Sequence, residues 1–319
     1  MPAILSPELP LYIDSTMLTC FRSCPRKFFN EFCLGLRGEG MSLDLHCGAC
    51  VATALETMYI NIHELGHSFS DSLLRAEEAF LFQWGDVEPR TRPGKNGPIA
   101  ISAKSRERTW EILLHYFAKW PPHTDHIQPM FNLGKPSVEF TFALPLTHDT
   151  TGYDFPLHPS GQPFLYSGRF DMLGLYNSQP VIKDEKTMGK TPPANWSETF
   201  DLRNQFIGYV WACRHLGIPV IGVVVRGISI LKEEYHLVEI LKSAYTSILL
   251  DRWKHQLARD LFRLVDCWNT SYFDFDFGDT CTSYGMCQYF HSCRADEPET
   301  WLKDFTVRHW NPLAKNPIA

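Results

Sequence analysis

The order of apolar and polar positions changes character about a third of the way along the chain. Residues 15–34 follow a helical period. Asp14 or Ser15 can accept from the free amides of the first turn, and Pro25 suits the first turn of a second helix. Phe28, Phe29, Phe32 and Leu36 make one apolar face. The same period recurs over 46–60, 70–84 and 104–119, the last two separated by the Pro/Gly/Lys-rich loop "EPRTRPGKNGP". Strand-like patterning then takes over: "SVEFTFAL" (137–144) alternates, and so does "PFLYSGRFDMLGLY" (163–176). After the turn "NSQ" comes "PVIKDEKT" (180–187). Residues 200–216 return to a helical period. "IPVIGVVVRGISI" (218–230) predicts a buried strand and "EEYHLVEI" (233–240) one more. Residues 241–266 predict a long helix with Tyr245, Ile248, Leu249, Leu257, Leu261 and Leu264 on or near one face.

These elements predict a single α/β domain over residues 1–319. It has a helical N-terminal part (1–130), a core (131–240) built on a central mixed sheet of about five strands flanked by helices, and a C-terminal helix with a cysteine-rich tail (241–319). No internal repeat is present.

Composition narrows the class only slightly. The chain is 44% hydrophobic and 21% charged, ordinary for a globular protein, with a net charge of -6. That sum argues against an all-over basic surface but leaves room for a local basic groove. The start, "MPAILSPELPLYIDS", lacks the basic-then-apolar order of a secretory signal. The most apolar stretch is interrupted by Arg226 and too short to span a bilayer. A soluble cytoplasmic protein with no membrane partner is expected. Ten cysteines in 319 residues are too dilute for a disulfide scaffold, so they are buried thiols, metal ligands or catalytic groups. Cys213 and Cys267 fall in helical patterns and are expected in the core.

The chemistry gathers around "VIKDEKT". Strand alternation puts Ile182, Asp184 and Lys186 on one face and Val181, Lys183 and Glu185 on the other. In the preceding strand Asp171 shares a face with Arg169, opposite Phe170. The tight turn makes the two strands pair, so Asp171 and Asp184 are expected side by side with Lys186 close by. Adjacent carboxylates repel unless a cation sits between them, and hard oxygen ligands suit Mg²⁺ or Mn²⁺. A nearby lysine can hold or help deprotonate water and offset transition-state charge. That is equipment for metal-assisted phosphodiester hydrolysis. The competing reading is a solvated, charged hairpin end. Downstream, Gln205 and Tyr209 are i, i+4 partners, and Leu202 and Ala212 on the same side predict that this face meets the sheet. The two polar groups either satisfy each other or steady the lysine and touch a substrate.

"SGRFDMLG", "VIKDEKT" and "NQFIGYVWA", in that order, resemble the PD-(D/E)XK nuclease superfamily, specifically its RecB-like exonuclease branch, which reads G-x-x-D, D-x-K-T, Q-x-x-x-Y. The resemblance implies a restriction-endonuclease-like core with a helical N-terminal elaboration. It also implies a Mg²⁺- or Mn²⁺-dependent deoxyribonuclease, an exonuclease acting on single strands or duplex ends in recombination, repair or phage DNA processing. Asp171 and Asp184 then hold the metal, Lys186 serves the water, and Gln205 and Tyr209 support lysine and substrate. Glu185, the variable middle residue, lends only its backbone carbonyl to the metal. An earlier helical motif of the branch, G-x-x-x-H-x-x-x-E, corresponds to "GACVATALE". Gly48 and Glu56 match, and Ala52 stands where the histidine is expected. Glu56, one turn further on, either compensates as a metal ligand or is a plain surface acid. DNA is the implied partner, with a recombination or helicase protein beside it, in the cytoplasm of a bacterium that carries the gene itself or through a phage.

Three cysteines in the tail, Cys281, Cys287 and Cys293, are spaced six apart and need a fourth ligand for a four-thiolate site; Cys24 offers one. The iron–sulfur-containing AddB-like and CRISPR-associated members of the branch have such a layout, with tighter C-terminal spacing than here. The resemblance thus implies a [4Fe–4S] cluster on Cys24, Cys281, Cys287 and Cys293 that pins the chain's two ends together. Zinc is the alternative, since four thiolates also suit it, and ordinary thiols are the third reading. Cys20, one turn before Cys24, is a substitute ligand, and His291 a weaker one. Basic residues gather at Arg22, Arg26 and Lys27, at Lys104, Arg106 and Arg108, and at Arg252, Lys254, Arg259 and Arg263. These are solvated helix faces or phosphate contacts. Trp196, Phe200 and Tyr166 are packed side chains or base-stacking platforms. Two rival functions remain: a catalytically weak or inactive nucleic-acid-binding accessory protein that retains the fold, favoured by Ala52, and a zinc-stabilised interaction module.

Overall fold

The computed structural model describes residues 6–38, 42–88, 91–92, 99–100, 102–283, 286–303 and 305–314. Most of the loop between residues 88 and 98 lies outside these. The chain divides into two units. One comprises residues 1–40, 141–169 and 246–319, the other residues 41–140 and 170–245.

The main sheet has seven strands. We number them β1 (Tyr12–Ile13), β2 (Ile127–Pro129), β3 (Val138–Pro145), β4 (Leu165–Tyr176), β5 (Gln179–Met188), β6 (Val223–Ile230) and β7 (Tyr235–Lys242). The order β1-β4-β5-β6-β7 forms a five-strand path, and β2 and β3 also pair with β4. The sheet is mixed: β5 and β6 are parallel, whereas β4–β5 and β6–β7 are antiparallel. The sequence pattern underestimates the strand number because β1 and β2 are only two and three residues long, too short to show a period.

In the second unit, helices α3 (Leu43–His63), α4 (Phe69–Trp84) and α5 (Arg106–Lys119) cover the sheet. Their buried faces supply Cys47, Val51, Ala54, Met58, Phe80, Trp84, Ile112 and Phe117, which cluster with Ile228 and Ile230 of β6. Ser68 and Ser105 cap α4 and α5 through their hydroxyls, as the sequence order of polar cap and apolar stripe requires. The hairpin between β4 and β5 turns on Asn177 and Ser178, both left-handed (φ 49° and 64°), the geometry that matches strand twist in a two-residue connection. This turn fixes the register: Tyr176 faces Gln179, and Met172 faces Lys183. Helix α6 (Asn204–His215) carries the chain from β5 to the parallel strand β6. Every residue of β6 is buried, including Arg226.

In the first unit, α1 (Ser15–Ser23) is capped by Asp14, which accepts the Met17 amide at 2.8 Å. α2 (Pro25–Phe28) begins on Pro25 and runs into a π-turn over Phe29–Cys33. Helix α7 (Ser247–Asn269) packs on α1.

Several expectations need correction. Leu36 belongs to a short strand (Leu36–Arg37) rather than to the helical face of Phe28 and Phe32. Helix α7 starts only at Ser247, so Tyr245 precedes it and Ile248, 62% exposed, points to solvent. Its buried stripe is Leu250, Trp253, Leu257, Leu261 and Leu264. Leu202 precedes α6 and is exposed, because residues 197–200 form a separate 3₁₀ turn. Trp196, Phe200 and Tyr166 are buried, which rules out base stacking by these rings. Cys213 and Cys267 are buried in helices. Among the described residues no helix is long and apolar enough to cross a membrane.

Candidate active site

The β4–β5 register brings the two acids together. Its last paired residues are Met172 and Lys183, so the next step along the hairpin sets Asp171 against Asp184. Asp171 Oδ2 accepts the backbone amide of Glu185 at 2.9 Å, reaching across to β5. Asp184 Oδ1 accepts from Lys186 Nζ at 2.9 Å and from Gln205 Nε2 at 3.3 Å. The same ammonium lies 2.7 Å from Asp184 Oδ2, an ion-pair contact without hydrogen-bond alignment that leaves this buried oxygen short of a bonded donor. Gln205 Nε2 also donates to Tyr209 Oη at 3.3 Å. The Tyr209 ring sits edge-on to Phe170 at 4.9 Å, and Lys186 lies over the Phe206 ring at 5.6 Å. Asp171, Asp184, Lys186, Gln205 and Tyr209 therefore form one connected group.

Burial sets the electrostatics of this group. It pushes Asp171 well above the ordinary carboxylate value, and the neighbouring Asp184 charge adds to the push. Asp184 is raised chiefly by its own burial, against the opposing charge of Lys186. Burial disfavours the Lys186 cation, but Asp184 and Asp171 outweigh it and raise its pKa. Lys186 is thus an ammonium, a donor of charge and hydrogen bonds rather than a base. Two acids, one buried and one half-buried, with raised affinity for protons are short of positive charge. A divalent cation fits that shortage, and hard carboxylate oxygens are its donors. Among the described residues, however, no three His, Cys, Asp or Glu side chains are grouped tightly enough to enclose an ion.

Glu185 and Glu56 are placed differently. The Glu185 carboxylate points to the opposite face of β5, where it pairs with Lys183 and accepts from Tyr116 Oη at 2.8 Å. Only its backbone belongs to the acidic face. Glu56 lies on α3, half-buried, two turns beyond Gly48. At Gly48 the helix comes close to β5: a Cβ there would lie 3.7 Å from Thr187 Oγ1. Ala52 follows one turn later.

Three features escape sequence reasoning. Glu139 of β3 sits across from Asp171: the Leu173 amide bonds Ser137 O at 2.9 Å, the Phe140 and Phe170 rings stack at 6.2 Å, and the Glu139 charge raises Asp171 further. Its backbone is left-handed (φ 50°), a conformation that costs a β-strand glutamate free energy. No local signal marks it, since its position depends on strand pairing. The second is a buried network behind β5. Arg226 Nη1 and Nη2 clamp Asp125 at 2.6 and 2.7 Å, Arg226 Nε donates to Glu239 at 2.7 Å, and Nη1 reaches Tyr116 Oη at 3.3 Å. The third is Tyr59, which accepts from Lys183 Nζ at 3.2 Å and bonds Asp125 at 3.4 Å. The one clue was Arg226 itself, a charge inside an otherwise apolar strand. Pairing with Lys183 holds Glu185 below its ordinary value despite burial, and Arg226 does the same for Asp125.

The thiols of the first unit also gather. Burial first, and then the charges of Cys287, Cys24 and Cys281, together raise Cys293 to about 11. Cys281 is raised by burial, then by Cys287 and Cys24. Among the described residues these thiols, like the carboxylates, do not form a group of three close enough to hold an ion. Cys20, raised to about 12 by burial and then by Glu31, senses Cys24 as well. Cys24 Sγ accepts the Lys27 amide at 3.4 Å. His291 is stacked on Trp301 at 4.9 Å. Most of the basic side chains are engaged in ion pairs: Arg22 with Asp260, buried Lys104 with Asp44, Arg106 with Glu107, Arg108 with Glu111, Lys254 with Asp251 and Arg263 with Asp274.

Comparison with known proteins places these features in context. The family model of the PD-(D/E)XK nuclease superfamily matches residues 15–294. A crystal structure from Eubacterium rectale named "Putative exonuclease" aligns with 86% of this chain and 89% of its own, at 13% identity and a TM-score of 0.48. No curated protein matches the chain.

Proposed function

Because the chain belongs to the PD-(D/E)XK nuclease superfamily, we propose that it is a Mg²⁺- or Mn²⁺-dependent deoxyribonuclease, acting as a RecB-like exonuclease on single strands or duplex ends. The observation that carries this reading is the pair of carboxylates, buried Asp184 and half-buried Asp171, set against each other on neighbouring strands with an ammonium ion-paired to Asp184. Asp171, Asp184 and the backbone carbonyl of Glu185 would hold the cation, with Glu56 as a further candidate ligand on α3. The cation supplies the charge that offsets the two carboxylates and polarises a phosphate oxygen. Lys186, held as an ammonium, faces the developing negative charge of the phosphate and orients water by donating to it. Gln205 ties α6 to Asp184 and is itself steadied by Tyr209 one turn along the same helix. Recombination, repair or phage DNA processing, with a helicase partner, is the setting this activity suits.

The second part of the proposal is that Cys24, Cys281, Cys287 and Cys293 hold a metal cluster. What supports it is that all four fall in the same unit of the chain although they come from its two ends. Four thiolates suit [4Fe–4S] or Zn²⁺, and the family resemblance favours iron–sulfur.

The test is a time course on end-labelled single- and double-stranded DNA, with and without Mg²⁺ or Mn²⁺. Cation-dependent degradation is expected, with at least a hundredfold loss in Lys186→Ala at about the scale of losing one transition-state donor. Equal activity in that variant refutes the assignment of the site. Ala52 favours a second reading, a DNA-binding accessory protein; DNA binding with no cation-dependent turnover would establish it in place of the first.

A further inference from the structure

Glu185 touches both faces of the candidate strand. Its backbone amide donates to Asp171 Oδ2 at 2.9 Å on the acidic face. Its carboxylate, on the other face, accepts from Tyr116 Oη at 2.8 Å. Whatever holds that carboxylate holds the amide that aims Asp171.

The hold is elaborate for a structural pair. Tyr116, on α5, is fully buried, its ring edge-on to Trp120 at 5.0 Å and to Phe117 at 5.8 Å. Its oxygen receives Arg226 Nη1 at 3.3 Å, so its own proton is directed at Glu185. Arg226 stands abreast of Glu185 on β6, and Glu239 abreast of Arg226 on β7. Asp125 locks the guanidinium from the other side with two bonds. Buried charges in such a network add little net stability over apolar packing of the same volume. What they supply is a single geometry, since every donor has one place to go. That geometry is delivered to the backbone of β5 between Asp184 and Lys186.

We propose that Tyr116 is a positioning residue for this site: through its hydrogen bond to Glu185 it fixes the strand segment that orients Asp171 and presents the Glu185 carbonyl. The inference rests on the nuclease reading above. It adds a residue from α5, some seventy positions upstream, to a site otherwise drawn from β4, β5 and α6.

Tyr116→Phe removes one hydroxyl and keeps the ring packing. Three readouts separate positioning from plain stability: Mn²⁺ affinity by calorimetry without DNA, kcat and KM on end-labelled DNA, and the melting temperature. The expected result is a 10- to 100-fold fall, at about the scale known for partners that orient metal ligands, in Mn²⁺ affinity and kcat, with KM for DNA unchanged. If the variant melts too low for the assay, calorimetry in the cold reads the same prediction. A lowered melting temperature with wild-type Mn²⁺ affinity and wild-type kcat per folded molecule overturns the inference and leaves the nuclease reading standing. A wild-type protein that neither binds Mn²⁺ nor cleaves DNA overturns the nuclease reading, and this inference with it.

Discussion

Asp171 and Asp184 store an unfavourable interaction that a bound cation would relieve. Both carboxyls are raised in the folded state above the ordinary value of 3.8. Between that value and the folded pKa the native protein binds more protons than the unfolded chain, so stability falls as pH rises through this window. Two predictions follow at this scale. Mn²⁺ should raise the melting temperature of the wild type more at about pH 8 than at about pH 5, because only the ionised pair recruits the cation. Thermal melts at both pH values check it, and equal shifts would contradict the pairing. Asp171→Asn should abolish cleavage yet leave the cation-free protein at least as stable as wild type above neutral pH, since it removes the repulsion on Asp184. Urea unfolding without divalent ions measures this. Asp171, Asp184 and Lys186 were legible in the sequence because strand alternation is a local property of the backbone. Glu139 and Tyr116 were not, because neither lies near them in sequence and only β-pairing and helix packing bring them close.

At the scale of elements, two glycines make opposite predictions from the same kind of observation. Gly48 sits inside α3, and a methyl group there would meet Thr187 Oγ1 at an ordinary 3.7 Å. Gly48→Ala should therefore stabilise the protein by about 0.5–1 kcal/mol, the usual gain from replacing a helix-interior glycine. Gly227, in the middle of β6, would drive a methyl to 2.7 Å from both Trp196 and Val238 and 2.8 Å from Met188. Gly227→Ala should cost about 1–3 kcal/mol through overpacking. Chemical denaturation of both variants tests the pair, and a destabilised Gly48→Ala would contradict the open contact between α3 and β5 at that position. The long helices and strands were readable because each repeats its apolar period several times. Short pieces such as β1 carry too few residues to show one, and the break between the 3₁₀ turn at Ser197–Phe200 and α6 is set by packing rather than pattern.

On the scale of the whole molecule, the thiols offer the clearest test. Cys24 comes from near the start of the chain and Cys281, Cys287 and Cys293 from near its end, and a metal joining them would close a loop over most of the sequence. Elemental analysis of anaerobically purified protein should find iron, and Cys24→Ser should lose it with a fall in melting temperature of more than about 5 °C, as expected when a structural metal is removed. Zinc in its place would favour the zinc reading, and no metal would leave these cysteines as plain thiols. The sequence by itself determined the α/β class, the alternation that puts Asp184 and Lys186 on one face and Glu185 on the other, and the order of the family's motifs. Each follows from periods and spacings that the backbone imposes over a few residues. Only the tertiary structure decided that seven strands join the sheet, that Glu139 stands opposite Asp171, and that Tyr116 and Arg226 brace the strand from behind. Those contacts link residues separated by dozens of positions, and their selection depends on strand order and helix packing, which no local pattern encodes.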